Sequence, residues 1–114
     1  MEMLNKVELR GIVGSVSTSN VGGVKNVLFS VNTSYCYKTK DGDPIIETTW
    51  HSVSAWSGKI TNGSSVNRGD KVFVSGRIHT QRYTGSDGVE KYANVIIADK
   101  VDILDVNILE FTKQ

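Results

Sequence analysis

Residues 45–56 decide the fold class, and they read Ile45-Ile46-Glu47-Thr48-Thr49-Trp50-His51-Ser52-Val53-Ser54-Ala55-Trp56. The stretch is rich in β-branched and aromatic residues and follows the turn signal of residues 40–44, so it is predicted as a strand. Successive side chains of a strand alternate between two faces, here Trp50, Ser52, Ser54 and Trp56 on one, and His51, Val53 and Ala55 on the other. Val53 and Ala55 suit a barrel interior, which leaves both indoles on the opposite face.

The strands on either side of this one follow the same alternation. Lys25 to Thr33 precedes it and is continued outwards by two tyrosines; the side chains predicted to share one face are Val27, Phe29 and Val31. Lys71 to Thr80 comes after the turn of residues 68–70, and the side chains predicted to point inward are Val72, Val74 and Ile78.

A first and a fifth strand complete the set. Asn5 to Val16 is predicted as a long strand with a bulge or sharp bend at Gly11. Residues 92–104 are predicted as the last strand, with a break near Asp99. Residues 58–67 are too polar and too rich in glycine for a good helix, so at most a short helical turn anchored by Ile60 is expected. Five strands with a poorly helical connector after the third predict an all-β, single-domain, small closed barrel with long hairpin loops.

Length and composition agree with one ordinary globular domain. The chain has 114 residues, of which 22% are charged and 39% hydrophobic, which argues against a disordered or membrane protein. No secretory signal is visible, and Cys36 stands alone, which excludes an intramolecular disulfide and a CxxC zinc site. A cytoplasmic protein is expected. The net charge of +1 is unevenly distributed, with +3 over residues 35–82 and −3 over residues 83–114. Chance would give such a distribution, and so would a surface that binds a polyanionic partner.

Catalysis has little support in this sequence. There are two histidines and one cysteine, and no acidic pair has a local spacing that suggests acid–base work. Neither a Walker loop nor a GxGxxG motif is present to hold a nucleotide. We therefore expect a protein that is not an enzyme and uses no cofactor and no metal.

The two indoles allow two interpretations. They stack on nucleobases, or they pack under loops or a partner subunit. The tyrosines favour the first, because each lies where a strand runs into a hairpin and has a basic neighbour: Tyr35 and Tyr37 near Lys38 and Lys40, and Tyr83 beside Arg82. Aromatic rings for bases and cations for phosphates are what a groove for single-stranded nucleic acid needs.

Over residues 3–104 the chain resembles the bacterial single-stranded DNA-binding protein family. The matching stretches are residues 5–14 (Asn5 to Gly14), Phe29-Ser30-Val31, Glu47 to Val53, Trp56 with Lys59, Arg68 to Ile78, and Arg82-Tyr83 through Asp87-Gly88 to Tyr92. The resemblance implies an OB-fold barrel that assembles as a homotetramer and binds single-stranded DNA.

The resemblance also implies the binding residues. Its stacking aromatics correspond to Trp50, Trp56 and Tyr83, and its basic positions to Lys6, Lys59 and Arg82. The aromatic at the end of strand two corresponds to Tyr37 when counted from Phe29 and to Cys36 when counted from Trp50; Tyr37 is preferred because it keeps the ring. The family places the histidine after the tryptophan near subunit contacts, so His51 is predicted to be structural.

Residues 1–104 are predicted as the OB-fold domain and residues 105–114 as a short extension without the family's linker and acidic tip, which makes recruitment of repair proteins by a tail doubtful. The leading hypothesis is sequence-independent binding and protection of single-stranded DNA in replication, recombination or repair, in the bacterial cytoplasm at the nucleoid. Two alternatives stay open: a primosome-type restart protein that acts through protein partners, and a structural OB subunit with buried indoles.

Overall fold

The computed structural model describes residues 1–61 and 65–104, so the predicted extension 105–114 lies outside the described residues. Its strands are β1 (Val7–Val21), β2 (Val24–Lys38), β3 (Pro44–Trp56), β4 (Lys71–Thr84) and β5 (Glu90–Leu104). They close into one barrel in the order β1-β2-β3-β5-β4, with β4 returning to β1. The predicted five-stranded, all-β OB barrel is confirmed.

The barrel interior is built from the inward halves of the alternating strands. The predicted set Val27, Phe29 and Val31 on β2 is buried, as are Val53 and Ala55 on β3 and Val72 and Val74 on β4. Burial of these side chains is the main favourable term for folding. Ile78 is also predicted to point inward, but it is not buried, since 49% of its surface is exposed. It lies on the inward side of β4, but the β1–β4 ladder ends at Val7 and Gly76, so β1 does not extend far enough to cover it.

β1 closes the barrel by changing partners. It pairs with β4 from Val7 to Ile12 and with β2 from Ile12 to Val21. The bulge predicted at Gly11 is misplaced: the β1–β4 register runs through Gly11 without a shift, and the irregularity lies between Val13 and Val16. Gly11 serves a different purpose, since a Cβ there would overlap the carbonyl oxygen of Asn32 on β2. The absence of a side chain at Gly11 therefore allows the close approach of two backbones.

Two long hairpins project from the same end of the barrel. The tips of β2–β3 and β4–β5 turn at Gly42 and Gly88, whose φ angles of 84° and 78° belong to the left-handed region that favours glycine. β3 and β5 both start at these tips, and they pair in parallel at Val53–Ile96. Because parallel strands run in one direction, the tips that precede them lie at the same end.

The connector after β3 contains the short helical turn that the sequence predicts. A 3₁₀ turn spans Ser57–Lys59, and the next residue, Ile60, is buried and forms a bridge to Val101 on β5. The predicted break near Asp99 is a bulge in a continuous β5, since Ser75 pairs with Lys100 and Gly76 with Ala98. Among the described residues no helix has the length and apolar character to cross a membrane.

Candidate nucleic-acid interface

The outward side of β1, β2 and β3 forms the surface that we call the indole face. Its members on β3 are Trp50, Ser52, Ser54 and Trp56, and their cross-strand partners on β2 are Asn32, Ser30, Leu28 and Asn26. The β2–β3 ladder has no register shift, so alternation holds throughout and the predicted division of residues 50–56 is confirmed. Trp50 and Trp56 are 59% and 41% exposed, whereas Val53 and Ala55 on the other side are buried.

Trp50 extends across β2 to reach β1. The outer edge of its six-membered ring lies over Gly14, next to the hydroxyl of Ser30. That hydroxyl is held by the backbone N–H of Ser15, which donates to Ser30 Oγ at 2.9 Å, and it lies 3.1 Å from Ser15 Oγ. The indole therefore contacts a defined part of the sheet while most of its surface stays open to solvent.

A shallow cleft of about 550 Å³ opens beside Trp50, and it brings in Arg68, a cation that is not among the predicted binding residues. Arg68 and Gly69 line the cleft together with Gly14, Ser30 and Trp50. Two backbone hydrogen bonds tie this turn to β1: Gly69 N–H donates to Val13 O, and Val13 N–H donates to Asp70 O, both at 2.9 Å. Arg68 and Trp50 are 18 positions apart in sequence and share no local pattern, so only the closed barrel brings them together.

The other end of the indole face carries Trp56 and a predicted cation. Trp56 is the last residue of β3, and Lys59 follows at the end of the 3₁₀ turn, exposed to solvent. Leu28 lies between the indoles, opposite Ser54, and is half exposed. Alternation with the buried Val27 and Phe29 gives Leu28 its outward position, so the sequence pattern already indicated an apolar side chain on this face.

Tyr37 lies on the other side of the β2–β3 hairpin. It shares the face of Val31, and its cross-strand partner is Ile45. Its hydroxyl donates to Glu47 Oε1 at 3.2 Å, and its ring centroid is 6.0 Å from that of Tyr35. By alternation, the side chain of Cys36 instead lies on the same face as Trp50. The structure does not bring Tyr37 next to Trp50, and its role in binding stays a prediction.

The β4–β5 hairpin carries Tyr83 and Arg82 on opposite faces. Tyr83 is half exposed on the outward side, across from Lys91, and Arg82 lies across from Tyr92. Arg82 Nε is 2.7 Å from Glu90 Oε1, and Lys6 Nζ is 3.6 Å from Glu8 Oε1. These pairs are exposed and therefore weak, because water and salt screen them. A phosphate that approaches either cation competes with a neighbouring carboxylate.

His51 is half buried on the face opposite the indoles. Its Nε2 lies 2.9 Å from Thr33 Oγ1, so at least one ring nitrogen has a partner on the neighbouring strand. This position agrees with its predicted separation from the stacking residues. In residues 1–61 and 65–104, no three His, Cys, Asp or Glu side chains are grouped closely enough to hold a metal ion.

Comparison with known proteins gives consistent matches. A sequence model of the family described as "Single-strand binding protein family" matches residues 4–104. The single-stranded DNA-binding protein of Xanthomonas axonopodis pv. citri is 33% identical over 105 residues, which cover 89% of this chain and 58% of that protein. The mitochondrial single-stranded DNA-binding protein of Danio rerio is 28% identical over 115 residues, covering 92% and 79%. The chain spans about 60% of the length of the bacterial curated relatives it matches.

Solved structures match the fold. The structure described as a Plasmodium falciparum SSB complex with ssDNA superimposes with a TM-score of 0.76 at 25% identity, covering 92% of this chain and 98% of that one. A deletion mutant of the single-stranded DNA binding protein from Thermus aquaticus gives 0.72 at 20% identity, covering 90% and 51%. The second match, at its low identity, supports the fold alone.

The exposure of the indoles predicts how substitutions affect folding. Trp50→Ala or Trp56→Ala should lower the free energy of unfolding by only about 1–2 kcal/mol, because the two side chains leave 59% and 41% of their surface in water. Phe29→Ala, the control, removes a buried side chain and should cost about 3–5 kcal/mol. Urea unfolding at one fixed protein concentration measures all three. A loss at either tryptophan as large as that at Phe29 would show that the indoles are structural.

Proposed function

The chain belongs to the single-strand binding protein family, and on that premise we propose that it binds single-stranded DNA without sequence preference and without catalysis. The observation that carries the proposal is the pair of exposed indoles on one barrel face, with serines between them. Every nucleobase has an aromatic face, so a tryptophan can stack on any of them, at about 1–3 kcal/mol per base. The relative that was solved as a complex with ssDNA supports this ligand.

Stacking and charge have separate tasks in this proposal. Trp50 and Trp56 lie six positions apart, roughly 20 Å along an extended strand, so they engage different bases of one DNA strand. The small side chains of Ser52 and Ser54 leave the space between the indoles open. Lys59 beside Trp56 and Arg68 beside Trp50 supply positive charge at the two ends of the indole face. Phosphate contacts of this kind make binding weaken as salt rises.

The two hairpins extend the interface in our proposal. Tyr83 stacks on a base at the outward side of the β4–β5 hairpin, and Arg82 and Lys6 bind phosphates after release from Glu90 and Glu8. Tyr37 is reached only if the DNA crosses the edge of the β2–β3 hairpin, since Tyr37 and Trp50 lie on opposite faces. Cys36 is the alternative position on the side of Trp50.

We further propose that the protein is a homotetramer that protects single-stranded DNA during replication, recombination and repair, in the bacterial cytoplasm at the nucleoid. Proteins of this family are in general DNA binders rather than enzymes, which agrees with the absence of a catalytic motif in the sequence. The alternative, a restart protein that acts mainly through protein partners, needs no exposed stacking residues on the barrel.

Tryptophan fluorescence tests the stacking assignment. Titration with oligo-dT should quench the emission, because the stacked bases contact the indoles. Trp50→Ala and Trp56→Ala should each cost about 1–3 kcal/mol of binding free energy for each base no longer stacked. The dependence of affinity on salt should stay nearly unchanged, since no phosphate contact is lost. Absence of quenching at micromolar oligo-dT would rule out binding through the indoles.

The Arg82–Glu90 pair gives a test of the phosphate contacts. Arg82→Ala should reduce the slope of log affinity against log salt by about one unit, because one neutralised phosphate is lost. Glu90→Gln should raise affinity at low salt. It removes the carboxylate that lies 2.7 Å from Arg82 Nε and competes with phosphate for this cation.

Asp99→Asn is the matched control for this test. It makes the same change of net charge at the exposed β5 bulge, away from Arg82. Equal gains for Asp99→Asn and Glu90→Gln would mean that only net charge matters, and an unchanged salt slope for Arg82→Ala would exclude Arg82 from the phosphate contacts.

The proposed assembly predicts a definite mass. Four chains of 12.5 kDa give about 50 kDa, in the closed symmetry that soluble homo-oligomers favour. Light scattering coupled to size exclusion measures the mass directly at micromolar concentration. A species of 12.5 kDa would contradict the tetramer, and a species near 25 kDa would replace it with a dimer.

A further inference from the structure

Glycine at position 14 is the starting observation. Among the described residues, a Cβ atom at Gly11, Gly14, Gly76 or Gly85 would stand less than 3.0 Å from another atom, which at Gly85 is only the carboxylate of the exposed Asp87 at a hairpin tip. At Gly11 and Gly76 the obstacle is backbone, namely the carbonyl oxygens of Asn32 and Ile97, so those two glycines serve the closure of the barrel. At Gly14 the obstacles are side-chain atoms only: Cζ3 and Cη2 of Trp50 and the hydroxyl of Ser30.

The backbone conformation does not require glycine at position 14. The left-handed φ angles are found at five other glycines, all at turns: Gly22, Gly23, Gly42, Gly69 and Gly88. Gly14 lies within β1, where any residue can adopt the backbone. What the missing side chain provides is the space that the ring of Trp50 occupies, since a Cβ would stand 2.8 Å from Cη2 and 2.9 Å from Ser30 Oγ.

We infer that Gly14 is a positioning residue for DNA binding: its missing side chain lets the ring of Trp50 rest on β1 in the pose that stacks on a base. This inference rests on the proposed function and adds to it a residue that acts through Trp50 and not through a DNA contact of its own. A side chain at position 14 displaces the ring from the sheet. The ring then has to be ordered when a base stacks on it, which lowers affinity.

The surroundings of Gly14 explain why the ring, and not the strand, has to move. The β1–β2 register shifts between Val13 and Val16, where β1 carries one extra residue. The strand is fixed on both sides of Gly14, by the two backbone hydrogen bonds of Val13 to the 69–70 turn and by the bond from Ser15 N–H to Ser30 Oγ. Trp50, in contrast, is an exposed side chain that can rotate away from the sheet.

Oligo-dT binding by Gly14→Ala and Gly14→Val tests the inference. We expect Gly14→Val to weaken binding by roughly fivefold or more, and Gly14→Ala by less, within the range found when a stacking ring is lost. The salt slope should not change, because no charge is altered. Gly58→Ala is the matched control: it also adds one methyl group, has no atom within 4 Å, and should bind like the parent protein.

The double variant separates positioning from a general structural effect. If Gly14 acts through the indole, Gly14→Val should cause no further loss of affinity in a Trp50→Ala background. An equal loss in both backgrounds would overturn the inference, because the substitution would then act independently of the ring. Normal binding by Gly14→Val, with weakened binding by Trp50→Ala, would also overturn it while the proposed function stands. Normal binding by Trp50→Ala would instead contradict the stacking assignment itself.

A spectroscopic measurement covers the case in which Gly14→Val does not fold. In a Trp56→Phe background, Trp50 is the only tryptophan, so its emission reports its own surroundings. Gly14→Ala should lower its fluorescence anisotropy and shift its emission to longer wavelength, as a ring displaced from the sheet into water does. Unchanged anisotropy and emission would show that the ring does not depend on Gly14.

Discussion

The exposure of both indoles on one face depends on the strict alternation of side chains along β3, which the unbroken β2–β3 ladder maintains. Val53 and Ala55 are needed inside the barrel, where they are buried, and this places Trp50 and Trp56 outside on the same face. A single register shift within residues 50–56 would have reversed one of the two indoles. The same hydrophobic burial that closes the barrel therefore also exposes the two indoles, and one short strand specifies both the core and the proposed stacking surface.

The sequence predicted what depends on local pattern. Alternation and turn chemistry predict the five strands, the buried faces of β2 and β3 and the turns with glycine. They also predict that Trp50 and His51 lie on opposite faces, and the structure confirms all of these. The bulge in β1 was misplaced, because a glycine that allows close backbone approach has the same sequence signal as one that bends a strand. The exposure of Ile78 has no signal in the sequence, because alternation gives the direction of a side chain but not where the neighbouring strand ends.

The remaining features of the interface depend on which strands the barrel brings together. Arg68 lines the same cleft as Trp50 only because the 69–70 turn pairs with β1, and Gly14 contacts Trp50 only across β2, so neither arrangement has a local sequence signal. Tyr37 shows the opposite case. The family's aromatic position corresponds to Tyr37 when counted from Phe29 and to Cys36 when counted from Trp50, and these neighbours lie on opposite faces of the hairpin. Counting residues through the loop therefore does not decide the face. Predicted cations likewise have ion-pair partners that the sequence did not indicate, such as Glu90 beside Arg82.

The central claim is that the indole face is the surface on which single-stranded DNA lies. Photo-crosslinking with an oligonucleotide that carries 5-iodouracil, followed by mass spectrometry of the peptides, tests it most directly, because crosslinks form where a base contacts an aromatic ring. We expect crosslinks at Trp50 and Trp56 that an excess of unmodified oligo-dT abolishes. Crosslinks confined to Tyr35 and Tyr37 on the opposite face, with none at either tryptophan, would contradict it.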